Sequence, residues 1–289
     1  MAEKAFNFLK NLARLARPLS NVKNIALIFL AFYISKSEPD FLKIIFGFVS
    51  VSLVCSAFYV FNTLSDYDFD KNNENKKHYL EAVAYFGKKN CFLIFIFLLV
   101  FGFVFATFIN SYFLFAVFLL ALTDYLYSSK HARFKERVIL DVLFGAVFTF
   151  LFRFLAFWHI FSFSFPPLLI ILALVSGKSA GYLLYKEVDR PFLSAQNAKN
   201  SITILKKPAV IFSATLFWAV CLASIILSCL EARYLPVKIL ILLPFALPPL
   251  AVIYLSALGK IKTKIKLLRM FGFIYWFFTI ITAIFLIIR

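Results

Sequence analysis

Residues 41–70 read FLKIIFGFVSVSLVCSAFYVFNTLSDYDFD, a long apolar run that ends abruptly in three aspartates. A run of about 20 mostly apolar residues is what the hydrocarbon core of a bilayer asks of a spanning helix. In lipid each backbone N–H and C=O must be paired inside its own segment or in a closed barrel. The run does not alternate apolar and polar residues as a barrel strand does. The stretch therefore reads as a membrane-spanning helix, and it sets the fold class as all-α.

The rest of the chain repeats the pattern. Of its 289 residues 63% are hydrophobic and 16% charged, against roughly 45–50% and 25% in soluble domains. That excess exceeds what a soluble core can hide, and it must face lipid. Nine candidate spans follow: 18–35, 41–63, 91–109, 111–128, 138–159, 165–186, 208–230, 235–257 and 269–288. The third and fourth meet at Asn110 and Ser111, which requires a tight helical hairpin. The expectation is one polytopic domain over residues 1–289, a bundle of nine transmembrane helices.

The net charge of +17 points to topology rather than to nucleic acid, because no nucleic-acid-binding motif accompanies it. With the N-terminus inside, 25 of the 31 Lys and Arg residues fall in inner segments, five fall outside, and Arg153 lies within a span. Basic loops stay cytoplasmic, so the N-terminus and the long polar loops are expected on the cytoplasmic face of the cell inner membrane. The four cysteines lie in or beside apolar runs without CxxC spacing, which suggests neither a disulfide frame nor a zinc site. Residues 1–17 are amphipathic and basic, without the pattern of a cleavable signal.

Chemistry concentrates where the second span ends. If its helix continues to Asp70, then Asn62, Asp66 and Asp70 fall at i, i+4 and i+8. Each step of four turns only about 40° around a helix, so the three form one stripe. Carboxylate and amide oxygens are hard ligands suited to Mg²⁺ that also holds substrate phosphates. A merely polar helix end is the plain alternative. Three aspartates within five positions repel one another, however, and a metal relieves that repulsion. Asn62, Asp66 and Asp70 are thus the expected metal ligands, with Asp66 and Asp70 the catalytic pair.

NxxxDxxxD at the end of the second of nine spans resembles the first motif of the UbiA superfamily of membrane prenyltransferases. The resemblance implies a nine-helix bundle with a phosphate and Mg²⁺ site on its cytoplasmic side. Further segments resemble the polyprenyl-phosphate (decaprenyl-phosphate) phosphoribosyltransferase branch. Its RPxxWxKN stretch is similar to Arg17-Pro18 through Lys23-Asn24, with Asn21 in the Trp position. Its Tyr-Ser, basic stretch and Leu-Asp-Val resemble Tyr127-Ser128, Lys130 and Leu140-Asp141-Val142. Its Arg before small residues matches Arg153 and Ala156, its Gly-Lys matches Gly177-Lys178, and Lys76-Lys77 supply its basic pair. Tyr79-Leu80 stand where Arg-Pro is usual, and Tyr182 stands in place of a Glu. The second DxxxD of the prenyl-diphosphate branch is reduced to Glu187-Val188-Asp189.

Lys178, Tyr182, Tyr185 and Asp189 share one helix face, a polar stripe that reads as a site wall, with a snorkelling lysine as the plainer alternative. Arg153 either reaches out to the headgroups or pairs inside the bundle. The expected substrate-binding residues are Lys23, Asn24, Lys76, Lys77, Tyr127, Lys130, Asp141, Arg153, Lys178, Tyr182 and Asp189. The expected function is Mg²⁺-dependent transfer of a phosphoribosyl group from phosphoribosyl pyrophosphate to a polyprenyl phosphate. The alternative is transfer of a prenyl group from a prenyl diphosphate to an aromatic acceptor resembling 4-hydroxybenzoate. A transporter would show internal repeats and broken spans at matching places, and none is evident; a non-catalytic divergent member is a further alternative. The expected partners are a polyprenyl lipid, a phosphorylated sugar or aromatic co-substrate, and membrane lipids, without nucleic acid. Sequence does not set the oligomeric state.

Overall fold

The computed structural model describes residues 2–230, 234–237, 240 and 243–261. They form an all-helical bundle. Helix α1 (Ala2–Ala16) is amphipathic: it buries Leu15 and leaves Phe6 and Leu9 exposed. Arg17 then takes a left-handed conformation (φ 49°) and Pro18 opens a 3₁₀ turn. Proline fits there because the first helical N–H has no intrahelical partner. Helix α2 (Val22–Ser35) follows with 14 residues. The expected first span, 18–35, is therefore broken, and the stretch Glu3–Ser35 reaches membrane length only by including α1.

Helix α3 (Phe41–Ser65) starts on an Asp40 cap whose side chain accepts from the Lys43 N–H at 3.1 Å. Amphipathic α4 (Lys77–Phe86) packs on α1 through an edge-on Phe8–Phe86 contact and an Arg14–Glu81 ion pair of 3.2 Å. Helices α5 (Lys88–Thr107) and α6 (Ser111–Ser128) make the expected tight hairpin. Asn110 holds it, accepting from the Phe113 N–H at 2.8 Å and donating to the His159 carbonyl at 2.7 Å. Helix α7 (Leu140–Trp158) contains a π-helical segment, Leu143–Phe148. Helices α8 (Leu168–Val188), α9 (Lys207–Leu230) and α10 (Leu243–Ala257) complete the described bundle.

Among the described residues seven helical stretches are long and apolar enough to cross a membrane. Nine are therefore not seen. The eighth expected span is represented by α10, only 15 residues long, and the ninth, 269–288, lies outside the described residues. Only 22% of the α5 apolar window is buried within the chain, and Leu93, Phe97 and Val100 point outward. Such surface belongs in hydrocarbon, and the protein is a multi-pass membrane protein.

Helices pair as α3 with α5, α6 with α7, and α8 with α9, while α2 lies against α3 and α7. Small residues let backbones approach, as bilayer packing requires. At Gly102 of α5 an added Cβ would meet Val54 of α3 at 2.6 Å, and the Ser50 hydroxyl donates to the Gly102 carbonyl at 2.8 Å. This close contact aims the lower end of α3, with its aspartates, at α6 and α8.

Candidate active site

The α3 helix ends at Ser65, and Asp66 leaves helical geometry (φ −98°, ψ 3°). The expected continuous helix to Asp70 is thus corrected to a turn. The stripe survives because the turn keeps the helical linkage. The Asp66 N–H bonds the Asn62 carbonyl at 3.0 Å, and the Asp70 N–H bonds the Asp66 carbonyl at 2.8 Å. Asp66 and Asp70 are buried, whereas Asp68 is exposed and pairs with Lys71 and Lys88 at 3.1 and 3.7 Å.

Each buried aspartate holds a lysine. The Lys76 ammonium donates to both Asp70 oxygens, at 2.9 and 2.8 Å. The Lys135 ammonium pairs with Asp66 and reaches the Asn62 side-chain oxygen at 3.4 Å. Ser128 donates to that same oxygen at 3.1 Å. Burial pushes the Asp70 carboxyl above its ordinary pKa, against the pull of Lys76. It pushes the Lys135 ammonium below its own, against the pull of Asp66. Both shifts follow from the cost of taking a charge out of water.

Asn62, Asp66, Lys76 and Lys135 wall an outer cavity of about 140 Å³, which Lys186 of α8 and Asp189 just beyond that helix also line. Behind it lies an inner cavity of about 200 Å³, into which Lys23, Tyr59, Asp124, Thr149, Arg153 and Lys178 project. Asn62 and Tyr127 line both. At the waist the Tyr127 and Tyr182 hydroxyls lie 3.1 Å apart. Their rings crowd Gly145 in the π segment, where a Cβ would meet each at 2.8 Å. The π segment and the glycine together make room for the two rings. Arg17 closes the inner cavity from α1's side: it donates to the Thr63 hydroxyl at 3.0 Å and stacks on Tyr79 at 3.7 Å.

Among the described residues no three His, Cys, Asp or Glu side chains converge as a metal cage. Asn62, Asp66 and Asp70 offer oxygen donors only, and ammonium groups already sit on those oxygens. Such a set suits a hard cation that takes its remaining ligands from substrate phosphate and water.

The model of the UbiA prenyltransferase family matches residues 24–278 of this chain. The chain belongs to the UbiA prenyltransferase family. It is accordingly a membrane-bound transferase of that family. Solved UbiA structures share its fold at low identity. A UbiA homologue from Archaeoglobus fulgidus bound to GPP and Mg²⁺ is 18% identical, with a TM-score of 0.71 over 96% of this chain and 100% of that one. An apo UbiA homologue from Aeropyrum pernix K1 is 14% identical, with a TM-score of 0.74 over 93% and 98%. A digeranylgeranylglyceryl phosphate synthase is 22% identical, with a TM-score of 0.68 over 96% and 99%. Among curated proteins no sequence matches.

Within this UbiA bundle the sequence-derived residues divide. Asn62, Asp66, Lys76 and Asp189 meet at the outer cavity, with Asp70 behind Lys76, and Lys23, Arg153 and Lys178 meet at the inner one. Tyr127 and Tyr182 form the waist between them. Arg153 is 3% exposed and points inward, so of its two expected orientations the bundle interior is the one adopted. Four residues lie elsewhere. Lys77 and Lys130 are exposed and line neither cavity. Asn24 is fully buried and donates to Ser52 at 3.2 Å, tying α2 to α3. Asp141 accepts from Ser201 and stands 3.8 Å from Lys186, so it anchors the wall rather than lining it.

Three residues were missed. Lys135, not Lys130, reaches Asp66, because the loop folds through a 3₁₀ turn (Phe134–Glu136) that carries Lys135 back under α3. Lys186 lies two turns beyond Lys178 on the same helix. Asp124 sits within an apolar span, which is itself a signal of function. The remnant of a second acidic motif is half dismantled: Glu187 is buried and gripped by Arg190 at 2.8 and 2.7 Å, so that of the two acids Asp189 is the one that lines the cavity.

Proposed function

We propose that this protein is a Mg²⁺-dependent prenyltransferase that moves the prenyl group of a prenyl diphosphate to an acceptor. The single observation that carries the reading is the outer cavity, which Asn62 and Asp66 line beside Lys76, Lys135 and Lys186, with Asp70 adjoining it through its ion pair with Lys76. Hard-oxygen side chains and three ammonium groups at one cavity match a metal–diphosphate group in sign and in chemistry. The Archaeoglobus relative, bound to GPP and Mg²⁺, supports the same assignment. The positive-inside count supports a cytoplasmic position for this cavity.

Asn62, Asp66 and Asp70 would hold the metal, whose charge stabilises the departing diphosphate. Lys76 and Lys135 would then exchange their carboxylate partners for phosphate oxygens. The allylic C–O bond breaks with its electron pair leaving on the diphosphate. The prenyl carbon is then taken by a nucleophile from the inner cavity, where the Phe58, Tyr59 and Phe150 rings face it. Aromatic faces stabilise developing positive charge.

A second reading, phosphoribosyl transfer from phosphoribosyl pyrophosphate to a polyprenyl phosphate, is favoured by one specific observation. Glu187 is locked to Arg190, so the second acidic motif offers only Asp189. Pyrophosphate release by purified protein with Mg²⁺ separates the two. Release from a prenyl diphosphate with 4-hydroxybenzoate or glycerol 1-phosphate as acceptor supports prenyl transfer. Release only from phosphoribosyl pyrophosphate with a polyprenyl phosphate overturns it in favour of the second reading.

A further inference from the structure

The inner cavity is mismatched in charge. Lys23, Arg153 and Lys178 project into it from α2, α7 and α8, and Asp124 of α6 is the one carboxylate among its lining residues. None of the three cations makes an ion pair within 4.0 Å among the described residues. Lys23 is held only by the Tyr59 hydroxyl at 3.3 Å, and Arg153 Nε is buried without a hydrogen-bond partner. Positive charge gathered inside a membrane bundle is costly unless an anion compensates it. With Arg17 at the mouth, four cations against one carboxylate leave an excess of positive charge, which a dianion offsets better than a monoanion. A phosphate monoester is dianionic near neutral pH, whereas a carboxylate carries one charge.

Asp124 supplies a second recognition element. It accepts from the Thr149 hydroxyl at 3.1 Å on one oxygen, which leaves the other carboxylate oxygen as an acceptor. A carboxylate placed among cations that bind an anion is unfavourable for the anion itself. It becomes favourable when the ligand also carries a hydroxyl to donate to it. The cavity, about 200 Å³, holds roughly six or seven waters at about 30 Å³ each, enough for a phosphate and a short hydroxylated carbon chain.

We propose that the inner cavity is the acceptor site and that it takes a small hydroxylated phosphate monoester, with Lys23, Arg153 and Lys178 on the phosphate and Asp124 on the hydroxyl. The inference rests on the outer cavity being the diphosphate site. Asp124 then stands at the group that loses its proton when the acceptor oxygen forms a bond to the prenyl carbon, and its carboxylate receives that proton.

The test is calorimetric titration of the purified protein in detergent with EDTA, using inorganic phosphate, glycerol 1-phosphate and 4-hydroxybenzoate as probes. Glycerol 1-phosphate is expected to bind without metal, and more tightly than phosphate or 4-hydroxybenzoate. Lys178→Met and Arg153→Gln should each weaken it by about tenfold or more, while Arg153→Lys, which keeps the charge, should retain measurable binding. Asp124→Asn should erase the preference for glycerol 1-phosphate over inorganic phosphate. Lys135→Met, in the outer cavity, should leave the affinity unchanged. Binding lost in Lys135→Met but kept in Lys178→Met would place the phosphate in the outer cavity and overturn the inference, as would tighter binding of 4-hydroxybenzoate. If no phosphate binds while prenyl diphosphate with Mg²⁺ still does, the inference fails and the prenyltransferase reading stands. If glycerol 1-phosphate binds but prenyl diphosphate with Mg²⁺ does not, that reading is the one that fails.

Discussion

The outer and inner cavities share Asn62 and Tyr127 yet solve opposite electrostatic problems. At the outer one the buried aspartates are matched by lysines, Asp66 by Lys135 and, behind Lys76, Asp70 by Lys76 itself. In the inner one, cations outnumber Asp124 three to one before Arg17 at its mouth is counted. Paired charges are stable as they stand, so an incoming metal must compete with two ammonium groups for its oxygens. Unmatched charges favour an incoming anion directly. Under the proposed assignments the two sites take ligands of opposite sign, one by exchange and the other by compensation.

The largest effect should come from the aspartates. Asp66→Ala or Asp70→Ala removes a proposed metal ligand and frees the lysine paired with it, and pyrophosphate release should fall about 10³-fold or more. A Mg²⁺ dependence and rate equal to those of the unmodified protein would break the comparison at its root. Next is Lys135→Met. It removes the cation that competes for Asp66 and also a diphosphate contact. The Mg²⁺ concentration for half-maximal release should drop, while the rate at saturation falls about 10²-fold. A Mg²⁺ requirement that rises instead would show that Lys135 holds the site open rather than competing for it.

Gly145→Ala tests the waist. Its Cβ would crowd Tyr127 and Tyr182 at 2.8 Å, so thermal unfolding should show a loss of about 1–3 kcal/mol, the usual cost of overpacking. Phosphate binding in the inner cavity should weaken while metal affinity in the outer one holds, because only the wall between them moves. The smallest effect belongs to Lys130→Ala. Lys130 is exposed and lines neither cavity, so activity should change by less than about twofold, as is usual for solvent-exposed charges. Set beside Lys135→Met, it separates what residue order suggests from what folding delivers.

Much was legible in the order of residues. A run such as 41–65 can only be a helix in lipid, since hydrocarbon satisfies no backbone polar group. Asn62, Asp66 and Asp70 announced themselves by spacing, which survived the end of the helix because local i to i+4 hydrogen bonds carried it through the turn. The break at Arg17 was less legible, since only a left-handed residue before Pro18 reveals that α1 leaves the line of α2. Lys130 lines neither cavity while Lys135 meets Asp66, and Asn24 and Asp141 tie elements together, placements that residue order does not show. Asp124 was overlooked although a carboxylate in an apolar span is a visible anomaly.

The sequence by itself determined the helical class, the membrane, and the acidic stripe, because hydrophobic length and helical spacing are local properties that act within one segment. Only the tertiary structure decided that there are two cavities, which lysine meets which aspartate, and that Lys23, Asp124, Arg153 and Lys178 share one chamber. Those residues come from four helices far apart in the chain. Their meeting depends on how helices pack, through close contacts such as Gly102 on α3 and the π segment that admits Tyr127 and Tyr182, and packing is not written in any one segment.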